Sequence, residues 1–526
     1  MRETHDGNVH LLWRRIRNGL GCLCIVPALL SAARAQMIPR PPPEIQHLSP
    51  EYTLPELGIP GENAISMGRL NAIGLKMYQT LKRLHLVLPD PLVQSYITHL
   101  GHLLSSHSAR PTMPFHYFVM KTNQINSFAA PGNYIAIFTG IILFTHHEDE
   151  LAAVLSHETA HEVQGHIART LAAQHRQGIV GLAALAGAIA LAAVSGNPNV
   201  ALAAIGSAAG GFEQYEIDYL RTHESEADRV GITIMARAGF DPYGMVDVFR
   251  ALAELTALNG RPPAIFLDHP TNLDRMANAA ARARLLAYHP RPVDPDYALM
   301  RARVRVLVSH HLDRTLHDFE MKSRPRAPQS SLWHRLANRY GAALCWLRLG
   351  DPRSALAGID PLEKHYPMIL AFRLVKAHAL LDMGRIRSAI RLDAETDQYF
   401  PENEATALDY SRALARSGDF TRAVLILDRF YGLHPHRTLI LHRLAHMNAR
   451  LGRHSLSDYY LAHYFVLLGS YLDAQLEMDL ALKTPHLTSL ERDRYHAFLT
   501  VIQQWIRRHP NQAAAQNRRS SSAGSI

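Results

Sequence analysis

The chain has 526 residues, 47% of them hydrophobic and 19% charged, with a formal net charge of +9. Its length fits about two to four domains, and it has enough apolar material for true cores. Its basic residues form no long runs, which argues against nucleic acid as a partner.

The first 35 residues read as an export leader. Arg14, Arg15 and Arg17 make a positive start, an apolar stretch runs from Leu20 to Leu30, and Ala33-Arg34-Ala35 supplies a small-residue cleavage site. Cleavage after Ala35 leaves Gln36 as the first mature residue of an exported chain. The apolar run is short for a membrane anchor, the competing reading. Cys345 is then the one mature cysteine, so an internal disulfide is excluded. Residues 36–59, with "PRPPPE", form a proline-rich extended lead-in.

Residues 60–293 carry the chemistry. "NQINSFAAPGNYIAIFTGIILF" predicts a β-hairpin turning at Pro131-Gly132-Asn133. Its second strand (Tyr134, Ile135, Ile137, Phe138) should border a cleft, where a strand edge can take up an extended peptide. Thr145 and Glu148 have capping-box spacing, Glu148, Asp149 and Glu150 suit a first helical turn, and Leu151, Val154 and Leu155 continue a helical stripe.

"LSHETAHEVQGH" follows, with His157, Glu158 and His161. Because the chain has 32 histidines, the odds of a chance H-E-x-x-H are about 0.1, so the motif needs its setting. On a helix, His157 and His161 lie one turn apart on one face and can grip one metal ion. Glu158 beside them can take a proton from an activated water. A catalytic zinc needs a third protein ligand, and "HESEAD" offers Glu224 on a second stretch of helical spacing (Glu224, Ala227, Asp228, Gly231). Asp228, one turn on, can hold the ring N–H of a ligating histidine. His146, His147, His166 and His175 read as surface or core residues and not as ligands.

Between the two ligand motifs, residues 178–211 form two uncharged runs rich in alanine and glycine. They are short and weakly apolar for a membrane span. A mobile lid or a peripheral contact with a membrane surface suits them better.

Four motifs in order, "NSFAAPGNYIAIFTGII", "DELAAVLSHETAHEVQGH", "HESEAD" and "DHPTNLDR", resemble the gluzincin metallopeptidases of the HtpX and CAAX-prenyl-protease kind. The resemblance implies one zinc per chain on His157, His161 and Glu224. It makes Glu158 the general base and Asp228 the residue that orients a ligand histidine. His269, with Pro270 and Arg275, matches the family's His-Pro…Arg segment. It would stabilise the oxyanion or plug the open zinc position; the competing reading is a structural turn.

The C-terminal half has a period. Gly350, Gly384, Gly418 and Gly452 recur every 34 residues, followed by Pro367, Pro401 and Pro435. Ala355, Ala389, Ala423 and Ser457 make one column of small residues, and Ala343, Ala377, Ser411 and Ala445 make another. This predicts stacked helix pairs and resembles a tetratricopeptide array over residues 336–508 with capping helices. A bridging helix and the linker "SRPRAPQSS" fill 294–335, and a polar tail fills 509–526.

The expected fold is therefore mainly α, with an α+β zincin-type domain bearing a small β-sheet, then an α-solenoid. This order of parts resembles the periplasmic proteases that enhance β-barrel assembly. It implies clients among misfolded or stalled outer-membrane β-barrel proteins and a partner in the barrel assembly machinery. Two other readings are a repeat scaffold or chaperone with little proteolysis, and a membrane-embedded quality-control protease.

Overall fold

A computed structural model describes residues 66–170, 213–260, 263, 265, 273–292, 295–324 and 331–510. The leader, the lead-in, the runs at 178–211, His175, His269 and the tail beyond residue 510 lie outside the described residues. The fold is mainly α, with one small sheet and a long run of paired helices.

Helices α1 (Met67–Arg83) and α2 (Pro91–Ser106) precede strands β1 (His116–Met120), β2 (Ser127–Ala130) and β3 (Tyr134–Phe138). The sheet order is β1-β3-β2, with β1 parallel and β2 antiparallel to β3. The expected hairpin is therefore β2–β3, turning through Gly132 and Asn133 at positive φ. Its second strand lies in the middle of the sheet, because β1 takes the other side. The strand beside the site is the first one, β2. The backbone N–H of Ile265 donates to the carbonyl of Ile125 (3.2 Å), just ahead of that strand.

Helix α3 (Thr139–Phe144) leads into α4 (Glu148–Val163), which carries the His-Glu motif. The expected Thr145 capping box does not form. Thr145 Oγ1 donates to the carbonyls of Ile141 and Ile142, closing α3, and His147 is the N-cap of α4. Glu150 reaches back instead, accepting from the His146 N–H at 2.8 Å. The three acidic residues do fill the first turn, where the helix dipole favours them. Every residue of α4 from Glu150 to Val163 is buried. Such a helix must be enclosed on all sides. It packs against α2, the sheet, α5 (Glu213–Arg237) and α6 (Tyr243–Asn259). Helix α7 (Leu273–Leu285) closes over α5 and α6.

The helix pairs begin at Leu332. Four second-of-pair helices start at Pro352, Ile386, Phe420 and His454, 34 residues apart, and helices Tyr471–Lys483 and Ser489–Arg508 extend the stack. Gly350, Gly384, Gly418 and Gly452 all adopt positive φ (71–85°), the left-handed turn that ends each first helix. Ala355, Ala389 and Ala423 have no exposure, and the second small-residue column is buried too.

One core runs across both halves. Ile97, Leu155 and Val304 share a cluster with Tyr340, Phe372 and Val375 of the first repeats. Helix Asp296–Val308 supplies the buried tie: Arg303 donates to both Asp90 oxygens (2.8–3.0 Å) and to the Tyr340 hydroxyl (3.1 Å). Further along, Gln79 of α1 donates to the carbonyl of Val466 and Arg83 to that of Leu468. Among the described residues, no helix is long and apolar enough to cross a membrane.

Candidate metal centre

The site forms where α4 and α5 cross. Gly231 makes that approach possible: a Cβ there would lie 3.1 Å from the backbone nitrogen of His157. The crossing sets Glu224 against the one-turn pair on α4. His157 Nε2 and His161 Nε2 lie 3.1 Å apart. Glu224 offers Oε2 at 3.3 Å from His157 Nε2 and Oε1 at 3.5 Å from His161 Nε2. One donor atom from each residue falls within 4.8 Å of the others, and all three residues are buried. Two imidazoles and a carboxylate turned inward on one point suit a zinc ion that keeps a further position open. They leave little other use for three buried polar groups.

Glu158 is 1% exposed and accepts from the Ser127 hydroxyl at 2.7 Å. Strand β2 thus holds the carboxylate that the sequence marks as the base. Thr159 is fixed to the same sheet through the Tyr117 hydroxyl (3.0 Å).

Behind the ligands the charges are compensated. Asp228 Oδ1 lies 3.0 Å from His157 Nδ1, the side of the ring away from the donor cluster. Arg275 binds Asp228 through two 2.7 Å hydrogen bonds and reaches Glu224 Oε2 with its third nitrogen at 3.1 Å. Arg275 also lies over the Phe249 ring. Burial alone would push the His157 imidazole down, but Asp228 and Glu224 outweigh it and raise it to about 10. That excess affinity for a proton is the affinity a metal cation would use. Burial pushes Glu162, on the last turn of α4, up to about 8, and Glu158 adds to the rise.

The structure therefore brings together His157, Glu158, His161, Glu224 and Asp228. His269 lies outside the described residues, whereas Arg275 from the same motif reaches the centre. His146 is a surface residue. His166, taken from the sequence as surface or core, is buried against His161. Burial, with Arg169 and His223 nearby, pushes it down to about 4.

Residues 91–283 match the model of Peptidase family M48. Over 456 residues, 86% of this chain and 91% of the relative, the chain is 27% identical to the beta-barrel assembly-enhancing protease of Escherichia coli (strain K12). The protein of that name from Yersinia pestis is 27% identical over 457 residues, 86% of this chain and 92% of its own length. A shorter match, 29% identical over 182 residues, covers 34% of this chain and 50% of mitochondrial metalloendopeptidase OMA1 of Schizosaccharomyces pombe. The chain carries a metallopeptidase domain of family M48 and is homologous, across most of its length, to the beta-barrel assembly-enhancing proteases.

Proposed function

We propose that this chain is a zinc-dependent endopeptidase of the bacterial periplasm that cleaves misassembled outer-membrane β-barrel proteins. The observation that carries the chemistry is the buried donor set of His157, His161 and Glu224, all within 4.8 Å, with Glu158 alongside. The names of the relatives support the client class and a link to the barrel assembly machinery. The leader read in residues 1–35 supports the compartment.

In this reading His157, His161 and Glu224 hold one zinc. When bound, the ion supplies a Lewis acid that polarises a peptide carbonyl and acidifies water. Glu158 takes the water's proton on a carboxylate oxygen and passes it to the leaving amine nitrogen. Ser127 fixes the other end of that task by holding Glu158 Oε1. Asp228 fixes the orientation and tautomer of His157, and Arg275 holds Asp228 and Glu224 in place. The helix pairs bind or orient the client, as repeat stacks with an extended face do. A scaffold without chemistry would have no need for this compensated cluster of buried carboxylates.

Glu158→Gln should lower cleavage of an unfolded protein substrate by about 10²–10⁴-fold. Zinc content should be unchanged. Cleavage near the parent rate would show that the base is another residue.

A further inference from the structure

His157 and His161 are both held from behind, but by different devices. Behind His157 stands a carboxylate, Asp228, with Arg275 on its far side. Behind His161 stands another histidine. His166 Nδ1 lies 2.8 Å from His161 Nδ1, and His166 Nε2 lies 3.1 Å from Glu226 Oε2. Arg169 donates to the same Glu226 oxygen at 3.1 Å. Both lines end in a carboxylate–arginine pair.

The chain geometry explains how His166 gets there. It follows His161 by five residues, which on a continuous helix would put it on a different face. Helix α4 stops at Val163, and Gly165 takes a left-handed φ of 67°. That turn brings His166 back beneath His161. Its ring also lies flat on His223, with centroids 4.2 Å apart and planes 2° apart.

Proton placement then follows. His161 turns Nε2 toward His157 and Glu224, so a metal on that atom leaves the ring proton on Nδ1. Nδ1–H must donate to His166 Nδ1, which must therefore be bare. His166 carries its own proton on Nε2 and donates it to Glu226. We infer that His166 is a positioning residue for the metal centre, passing the hold of Glu226 and Arg169 on to His161 and fixing that ligand's tautomer. This rests on the zinc reading above.

The test is zinc affinity by chelator competition in the full chain, with metal-free folding followed by circular dichroism. His166→Phe keeps a ring for His223 to stack on and removes the acceptor. Its zinc affinity should fall by about 10–100-fold. His166→Asn loses the stack but puts an oxygen near the Nδ1 position, so it should bind zinc more tightly than the Phe variant. Glu226→Gln should weaken zinc in the same direction by less, and it decides the matter if His166→Phe does not fold. If the ring merely fills space, Phe will match the parent or Asn will be the weaker of the two. Either result, or an unchanged Glu226→Gln, overturns the inference while leaving the zinc reading intact. A parent chain that binds no zinc overturns both.

Discussion

Gly384 in the repeat stack and Gly231 at the metal centre are needed for different reasons. Gly384 adopts a φ of 74°, and a Cβ there would meet nothing within 4 Å. Backbone conformation demands it, and the demand recurs at Gly350, Gly418 and Gly452. Gly231 sits within ordinary helix, and a Cβ there would press on the backbone of Ser156 and His157. Space demands it, once, where α5 meets α4. Buried carboxylates occur in both regions. At the metal centre Asp228 and Glu224 share Arg275. In the stack, Asp393 is buried near Asp409, and its Oδ1 has no partner among the described residues. Repetition builds the stack, while a few contacts used once each build the site.

Four substitutions sharpen that contrast. The largest effect is expected at Arg275. Arg275→Ala removes the guanidinium from two buried carboxylates and leaves the His157 ring beside them, which should cost about 3–5 kcal/mol in denaturant unfolding of the metal-free protein. Zinc affinity should fall with it. Gly231→Ala should cost about 1–3 kcal/mol by overpacking the crossing, and it too should weaken zinc binding. Gly384→Ala should cost about 1–2 kcal/mol through the left-handed backbone alone and leave zinc affinity unchanged. If the two glycine variants affected zinc equally, the division between the regions would not hold.

Asp393 gives the pH test. Burial first, then Asp409, raises its carboxyl well above the ordinary value. Between the unfolded and folded values the folded chain holds the extra proton. Stability is therefore greatest below the unfolded value and falls as pH rises to the folded one. Asp393→Asn should flatten that slope and stabilise the protein at neutral pH by about 1 kcal/mol. Urea melts from acid to neutral pH would show it, and a steeper slope in the variant would contradict it.

The stack could be read from sequence because each repeat imposes the same local need. A left-handed turn calls for glycine and a close crossing calls for alanine or serine, in one register. The ligand set was legible for a related reason. His157, Glu158 and His161 are one turn of one helix, and Glu224 belongs to a second compact motif. What supports those residues was less legible, because chain distance does not set spatial distance. Arg275 stands 47 residues from Asp228, and Glu226 stands 60 from His166. The one local signal was Gly165-His166: a glycine that stops a helix can return the next residue to the face just passed. The strand order was hidden as well, since β1 skips β2 along the chain and pairs in parallel with β3. The linker read at "SRPRAPQSS" gives no hint that the core continues past it into Tyr340 and Phe372.

The central claim is that His157, His161 and Glu224 form one zinc site. Zinc per chain in the purified protein, beside a Glu224→Ala variant, tests it most directly. The account predicts about one zinc per chain, lost or greatly weakened in the variant. No zinc in the parent after loading, or equal zinc in both, would contradict it.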